Sequence, residues 1–304
     1  MDYVLKTNGL CKYYRQFKAI NGLTMNVPKG AIYGFVGKNG AGKTTLIRLI
    51  CGLQNPTSGE FELYGVKSND KSISKSRRRM GAVVETPSIY LDMTAQDNLK
   101  QQYRFIGLPS FDGIEELLKL VGLENAGKKK ARNFSLGMKQ RLGIAVALCG
   151  NPDFLVLDEP INGLDPQGII EIRELILKLN HERQITVLIS SHILDELSKL
   201  ATHYGFIDNG RIVREMSAEE LEAACRKCLR INVSDAGALA RVLDKMGIEY
   251  KILSGSIADV YGKPNITQLT LALAEEKCKV ISVEERDESL ESFYINLVGG
   301  GKNE

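Results

Sequence analysis

A chain of 304 residues is long enough for two domains, and its 43% hydrophobic and 25% charged content are typical of a globular protein. The formal net charge of +3 is too small to indicate nucleic-acid binding. The apolar stretches fall well short of the roughly 20 residues that a membrane span requires, and the N-terminus MDYVLKTNGL has no apolar signal core. We therefore expect a cytoplasmic chain that reaches a membrane only through a partner.

The charge is distributed unevenly along the chain. Residues 1–217 carry 29 Lys/Arg against 22 Asp/Glu, whereas residues 218–304 carry 11 against 15. This change of sign predicts a boundary between two domains, 1–217 and 218–304. We interpret the basic runs at 77–79 and 128–130 as solvated helix ends or loops, not as sites for RNA or anionic lipid.

In the first domain, predicted strands alternate with predicted helices. The strands are expected at 3–29 (two strands around a turn), 31–36, 80–84, 154–157 and 185–190. The helices are expected at 43–51, 94–126 with a break at 107–109, 135–148, 168–180 and 193–201. Apolar strands between helices indicate an α/β fold with a mostly parallel sheet covered on both faces.

In the second domain, the elements follow a different order. The pattern predicts strand, helix, strand, strand, helix and strand at 229–233, 236–245, 250–253, 257–261, 266–277 and 279–283. This βαββαβ order is that of a small α+β, ferredoxin-like unit. A closing helix is expected at 287–297.

A phosphate-binding loop follows the strand at 31–36. Residues 37–44 read GKNGAGKT, which fits G-x-x-x-x-G-K-[ST] between a strand and a helix. The glycines let backbone N–H groups turn inward around an anion, and the helix directs its positive end at the phosphates. Lys43 adds a charge for the β- and γ-phosphates, and the Thr44 hydroxyl is a ligand for Mg²⁺. We therefore predict that the phosphates of a nucleoside triphosphate are bound by Gly37, Lys38, Asn39, Gly40, Ala41, Gly42, Lys43, Thr44 and Thr45.

Two carboxylates end the apolar strand that begins at Phe154. Asp158 is placed to hold the Mg²⁺ shell, as in P-loop enzymes generally. Glu159, one residue on, can polarise the attacking water as a catalytic base. Together with the phosphate-binding loop, this pair predicts a P-loop NTPase.

The segment NFSLGMKQR at 133–141 indicates which family of P-loop NTPases the chain resembles. It resembles the signature sequence of ATP-binding-cassette (ABC) proteins, usually written LSGGQ and followed by a basic residue, glutamine and arginine. Four positions match that pattern, Ser135, Gly137, Gln140 and Arg141, and three depart from it, Phe134, Leu136 and Met138. Ser135 is also a good helix N-cap, and Gly137 leaves the start of the helix open to an anion.

Other segments resemble the same family in the same order. The NGLDP segment at 162–166 looks like its D-loop, and His192 looks like its switch histidine. Tyr14 lies where the family places an aromatic ring that stacks on adenine, and Tyr13 is the neighbouring alternative. On this ordered set, which spans about residues 3–217, the chain is identified as a member of the ABC family.

The resemblance implies a working unit of two cassettes arranged head to tail, and a homodimer is the simplest such assembly. Each ATP would lie between the phosphate-binding loop of one subunit and the segment from Ser135 to Gly137 of the other. His192 would contact the γ-phosphate. The segment at 86–126 would transmit the motion to a separate transmembrane permease, at the inner face of the cell membrane.

Finer resemblance points to one subgroup. IYGFVG at 32–37, VETP at 84–87 and the segment at 134–141 look like the ATPase subunits of bacitracin- and lantibiotic-resistance exporters. Most of the wider family has glutamine where this chain has Glu85, and we assign Glu85 to Mg²⁺ with Thr44 and Asp158. The ATPase subunit of an amino-acid importer stays open as an alternative, because some importers attach a ferredoxin-like, ligand-sensing domain at this position.

Overall fold

The computed structural model of the chain describes residues 2–225, 228–262, 264–286 and 290–299. The chain divides into two compact units between Ala218 and Glu219. No helix within the described residues is long and apolar enough to cross a membrane.

Two sheets form the framework of the first unit. Its strands are β1 (Tyr3–Tyr14), β2 (Phe17–Pro28), β3 (Ile32–Val36), β4 (Ser58–Leu63), β5 (Val66–Lys67), β6 (Met80–Val83), β7 (Phe154–Asp158), β8 (Thr186–Ser191), β9 (His203–Asp208) and β10 (Arg211–Ser217). An antiparallel sheet has the order β2-β1-β4-β5, and a larger sheet has the order β10-β9-β3-β8-β7-β6. The larger sheet is parallel except for β10 at its edge. Every residue of β3, β7 and β8 is buried, as expected of parallel strands covered on both faces.

The first helix of this unit lies between the two sheets. The helices are α1 (Lys43–Ile50), α2 (Ile73–Arg77), α3 (Ala95–Ile106), α4 (Ile114–Leu120), α5 (Leu136–Leu148), α6 (Pro166–Arg183) and α7 (Leu194–Leu197). Leu46, Ile47, Leu49 and Ile50 of α1 are fully buried in one core cluster with side chains of both sheets. Complete burial of such a side chain contributes about 1.5–3 kcal/mol, so α1 is firmly fixed in the core. The loop that precedes it therefore has a rigid support.

Helices α3, α4 and α5 pack against one another. The Thr94 hydroxyl caps α3 by accepting a hydrogen bond from the Asp97 N–H, and Gly107 ends the helix at φ 73°. The break predicted at 107–109 is therefore confirmed, because glycine readily adopts the left-handed conformation that ends a helix.

The helix predicted at 193–201 is wrong over most of its length, because α7 spans only Leu194–Leu197. Ile193 is extended, and its N–H donates to the Ser191 hydroxyl. Beyond α7, the Thr202 N–H donates to the carbonyl of Ile32, so the chain has already turned toward β9. Hydrogen bonds to other parts of the fold therefore determine the conformation of this segment, although its sequence pattern is helical.

The second unit has the predicted order of strands and helices. Its elements are α8 (Ala218–Ala224), β11 (Cys228–Val233), α9 (Ala236–Met246), β12 (Tyr250–Ile252), β13 (Ile257–Tyr261), α10 (Ile266–Glu275), β14 (Val280–Arg286) and α11 (Leu290–Gly299). The strands pair antiparallel in the order β12-β13-β11-β14, and side chains of α9 and α10 form a core with them. Residues 287–289, where a closing helix was expected to begin, lie outside the described residues.

Candidate nucleotide-binding and catalytic site

The predicted phosphate-binding loop joins β3 to α1 and is packed closely on two sides. A Cβ atom at Gly37 would lie 2.5 Å from Cγ2 of Ile207, and one at Gly42 would lie 2.5 Å from the carbonyl oxygen of Ala19. Gly42 also has φ 113°, which side-chain-bearing residues rarely adopt. Gly40 has φ 82°, and no atom of the described residues lies within 4 Å of its would-be Cβ. The loop is therefore held by β2 and β9 and open at its tip.

The first turn of α1 supplies backbone donors at this loop. The first N–H groups of any helix have no acceptor within the helix, and the macrodipole makes this end positive. Here they belong to Lys43, Thr44 and Thr45, immediately after the loop. The Thr44 and Thr45 side chains are half-buried. This is the arrangement that binds phosphate oxygens at helix N-termini.

The side chain of Lys43 turns back over the loop. Only 6% of it is exposed, and its ammonium group donates to the carbonyls of Gly37 (2.6 Å) and Lys38 (3.3 Å). The same nitrogen lies 3.2 Å from Oε1 of Glu159. A buried cation is thereby neutralised by the carboxylate that follows β7.

Glu159 and His192 meet above the carboxyl ends of two neighbouring strands. Oε2 of Glu159 lies 2.8 Å from Nδ1 of His192, which follows β8. Glu159 has φ 49°, a left-handed conformation that is uncommon for residues with a side chain. The structure thus brings together Lys43, Glu159 and His192, which the sequence placed in one site.

Asp158 is 1% exposed and is held from one side only. Its Oδ1 accepts a hydrogen bond of 2.5 Å from the Ser190 hydroxyl. Its Oδ2 is buried without a hydrogen-bond donor among the described residues. A buried carboxylate oxygen without a partner is costly, and a hard cation or its water is the partner such an oxygen prefers. The donor set of Asp158 and Thr44 therefore fits Mg²⁺.

The signature segment lies on another part of the same unit. Ser135 caps α5, and its hydroxyl accepts from the Met138 N–H at 3.2 Å. A Cβ at Gly137 would have Leu164 and Gly168 as its nearest neighbours, at 3.9 and 3.8 Å. The described contacts therefore connect this segment to the D-loop side of α6 and not to the phosphate-binding loop.

The two tyrosines at the end of β1 differ in their surroundings. The Tyr14 ring is 40% exposed, and its hydroxyl donates to the Gln54 side chain. The hydroxyl of Tyr13 is hydrogen-bonded to the Cys11 thiol, which raises the pKa of Tyr13. Tyr14 is exposed whereas Tyr13 is half-buried, which favours Tyr14 as the stacking residue.

Glu85 contacts an arginine in the described part of the chain. It follows β6 at φ 59°, is mostly exposed, and lies 2.5 Å from the Arg48 guanidinium in the last turn of α1. No pattern in the sequence indicated that Arg48 would be the partner of Glu85. That Glu85 binds Mg²⁺ stays a prediction.

Two further polar residues at the site were also missed. Ser190 ends the strand predicted at 185–190, and Gln54 lies outside the elements predicted from the sequence. Their roles follow from pairing across the fold, with Asp158 and Tyr14, and no local signal could have found them.

A P-loop beside two carboxylates at the end of a buried parallel strand defines a nucleotide-hydrolysing cassette. Residues 20–162 match the family model described as ABC transporter. The bacitracin transport ATP-binding protein BcrA of Bacillus licheniformis is 41% identical over 304 residues, covering 99% of both chains. The lantibiotic transport ATP-binding protein SrtF of Streptococcus pyogenes is 43% identical over 212 residues, covering 70% of this chain and 90% of that protein.

Solved structures agree with the fold. The dimeric cassette MJ0796 bound to ADP and Pi has a TM-score of 0.64 at 27% identity, covering 70% of this chain and 98% of that one. The structure of cbiO1 from Clostridium perfringens, part of the ABC transporter complex cbiONQ, has a TM-score of 0.66 at 26% identity, covering 81% of this chain and 97% of that one. The chain belongs to the ATP-binding proteins of ABC transporters, which hydrolyse ATP to drive transport.

Proposed function

We propose that this chain is the ATP-hydrolysing motor of an exporter for peptide antibiotics of the bacitracin or lantibiotic type. The observation that carries the proposal is the similarity to BcrA, which runs through both units and not only the cassette. The motor would act as a homodimer at the inner face of the cell membrane, bound to a separate transmembrane permease. The dimeric state of MJ0796 supports the proposal that the motor acts as a homodimer.

Within one site, each residue has a distinct task. The α1 N-terminus and Lys43 would bind and orient the β- and γ-phosphates, and Tyr14 would stack on the adenine. Glu159 would accept a proton from the attacking water, with His192 holding the carboxylate in place through its 2.8 Å contact. Ser135 and Gly137 would close the site from the partner subunit, since they lie away from the phosphate-binding loop of their own chain.

Mg²⁺ would be held by Thr44 and Asp158, with Glu85 as a further ligand. Bound there, the cation would neutralise charge that develops on the phosphate oxygens. The orphaned Oδ2 of Asp158 supports this assignment. Glu85 needs to leave Arg48 before it can contribute.

We also propose that the second unit is ferredoxin-like. Its βαββαβ order and its sheet order, in which the first strand lies between the third and the fourth, support that assignment. The presence of this second unit also supports a second candidate function, that of the ATPase subunit of an amino-acid importer with a ligand-sensing domain. A multi-span permease gene beside this one favours export, whereas a substrate-binding-protein gene favours import.

The direct test is resistance. The chain is expressed with its candidate permease in a sensitive host, and growth is measured against bacitracin, a lantibiotic and an unrelated antibiotic. We expect protection against one of the first two, lost with Glu159→Gln. Protection that survives Glu159→Gln, or uptake of an amino acid in place of resistance, contradicts the proposal.

A further inference from the structure

Ser190 lies where the two carboxylates of the site leave the sheet. It is the residue of β8 that pairs with Asp158 of β7 in the parallel ladder, and its side chain is completely buried. Its hydroxyl donates to Oδ1 of Asp158 at 2.5 Å and accepts from the Glu159 N–H at 3.0 Å. A serine hydroxyl has one hydrogen, and here that hydrogen is committed to the carboxylate.

The contact with Asp158 selects which oxygen is left for a ligand. With Oδ1 fixed by a charge-assisted hydrogen bond, the carboxylate cannot rotate freely about its own axis. Oδ2 then remains buried without a donor among the described residues, as a metal-facing oxygen requires. The hydrogen bond from Ser190 therefore restrains the carboxylate and leaves Oδ2 as its unpaired oxygen.

The contact with Glu159 holds a strained backbone. The Glu159 N–H is shared between the carbonyl oxygen of Ser190, at 3.2 Å, and its hydroxyl oxygen, at 3.0 Å. Both acceptors stabilise φ 49° at Glu159, the conformation from which its side chain reaches Lys43 and His192. The Ser190 hydroxyl thus contacts both the carboxylate assigned to the metal and the backbone of the residue assigned as the base.

We propose that Ser190 is a positioning residue that orients Asp158 for Mg²⁺ and Glu159 for its proton-accepting role. The inference rests on the roles proposed above for those two carboxylates. It differs from a merely structural role, in which the hydroxyl would only satisfy a buried acceptor and its loss would lower stability alone.

Three variants of the full-length chain distinguish a positioning role of Ser190 from a merely structural one. Ser190→Ala removes the hydroxyl, Ser190→Thr keeps it and adds a methyl group to a buried site, and Thr186→Val removes another buried hydroxyl from β8. Thr186 is a matched control because its hydroxyl accepts from the Gly30 N–H, away from the carboxylates. Mn²⁺ serves as a spectroscopic substitute for Mg²⁺, and its binding is measured by electron paramagnetic resonance with ADP, so that no turnover is needed.

We expect Ser190→Ala to weaken Mn²⁺ binding by about tenfold, because hydrogen-bond partners of metal-ligating carboxylates typically contribute about that much. Metal-free ADP affinity should stay within about twofold, since no phosphate contact is removed. The kcat for ATP should fall more than KM changes. Ser190→Thr should lower the melting temperature but restore Mn²⁺ binding, and Thr186→Val should lower the melting temperature only.

Asp158→Asn distinguishes failure of this inference from failure of the underlying site. If Asp158→Asn weakens Mn²⁺ binding and Ser190→Ala does not, Ser190 is structural and the proposal is wrong. If neither variant changes Mn²⁺ binding, the assignment of Asp158 to the metal itself fails. Should Ser190→Ala not fold, Ser190→Cys, with its weaker donor, is expected to give an intermediate loss, and wild-type Mn²⁺ binding in that variant overturns the proposal.

Discussion

The ammonium nitrogen of Lys43 lies 3.2 Å from a carboxylate oxygen of Glu159, and both side chains are largely buried. The P-loop cation and the proposed catalytic base are therefore each other's counter-ions. A phosphate group that draws Lys43 toward itself has to separate this pair. We therefore expect nucleotide binding to draw Lys43 away from Glu159 and so to make the Glu159 carboxylate available to water.

The first prediction concerns Glu159→Gln. The amide keeps the shape of the side chain but cannot accept a proton, so hydrolysis should fall by about 10²–10⁴. Because ATP is no longer hydrolysed rapidly, the ATP-bound dimer should persist, and the variant should elute as a dimer in size-exclusion chromatography with Mg-ATP. ADP affinity should rise, because the variant no longer competes with phosphate for Lys43.

Glu174→Gln is the matched control, because Glu174 is exposed on α6. It should hydrolyse ATP and dissociate as the wild type does. A Glu159→Gln protein that hydrolyses ATP at the wild-type rate contradicts the assignment of the base.

The second prediction concerns the adenine. Tyr14→Ala should weaken ATP binding several-fold to tenfold, because ring stacking contributes roughly 0.5–1.5 kcal/mol beyond burial. Tyr14→Phe should be nearly silent, since the hydroxyl it removes only contacts Gln54 on the surface. Calorimetric titration with ATP measures both. A loss in Tyr13→Ala in place of Tyr14→Ala would show that the neighbouring ring does the stacking.

The third prediction uses two glycines of α5. A Cβ at Gly137 finds only ordinary contacts at 3.8 and 3.9 Å, so Gly137→Ala should stabilise the isolated chain by about 0.5–1 kcal/mol. If Gly137 faces the nucleotide of the partner subunit, the same variant should weaken ATP-dependent dimerisation. Thermal unfolding and size-exclusion chromatography of one preparation report the two effects separately.

Gly143→Ala is the contrasting variant. Its Cβ would lie 2.6 Å from Cβ of Pro87, so it should destabilise the fold by about 1–3 kcal/mol. A Gly137→Ala protein that is more stable and dimerises normally with ATP would exclude Gly137 from the interface.

The sequence was most informative where the site is continuous in the chain. Residues 37–45 and the pair Asp158 and Glu159 carry their chemistry in adjacent positions, so spacing alone predicts them. Ser190 acts on Asp158 from a neighbouring strand, 32 residues away, and only the strand register brings them together. The predicted helix boundaries were wrong where tertiary hydrogen bonds compete with the helical periodicity of the sequence, as at Ile193.

The fourth prediction concerns the second unit. Every residue assigned to phosphate, adenine or metal precedes the division after Ala218, so a chain that ends there should bind ATP with wild-type affinity. Circular dichroism establishes whether the truncated chain is folded, and calorimetric titration measures its affinity. A folded truncation without ATP affinity would show that the second unit completes the site.

The last prediction concerns Glu85 and Mg²⁺. In the Glu85–Arg48 pair the Glu85 side chain is 55% exposed and the half-buried Arg48 side chain is 35% exposed, and ion pairs this open to solvent contribute only about 0–1 kcal/mol. A cation bound beside phosphate offers a carboxylate a stronger partner, since Mg²⁺ prefers carboxylate and phosphate oxygens. We therefore expect Glu85 to leave Arg48 when Mg-ATP binds.

Glu85→Gln removes the charge and keeps the size. The half-maximal Mg²⁺ for ATPase activity should rise in this variant, while ATP binding without metal stays unchanged or improves, because a carboxylate no longer faces a polyanion. Arg48→Gln is the complementary variant: it frees Glu85, so its half-maximal Mg²⁺ should fall or stay the same. Melting temperatures of both should stay close to that of the wild type, as expected for an exposed pair. Identical Mg²⁺ titrations for Glu85→Gln and the wild type would leave Glu85 with its surface contact to Arg48 alone.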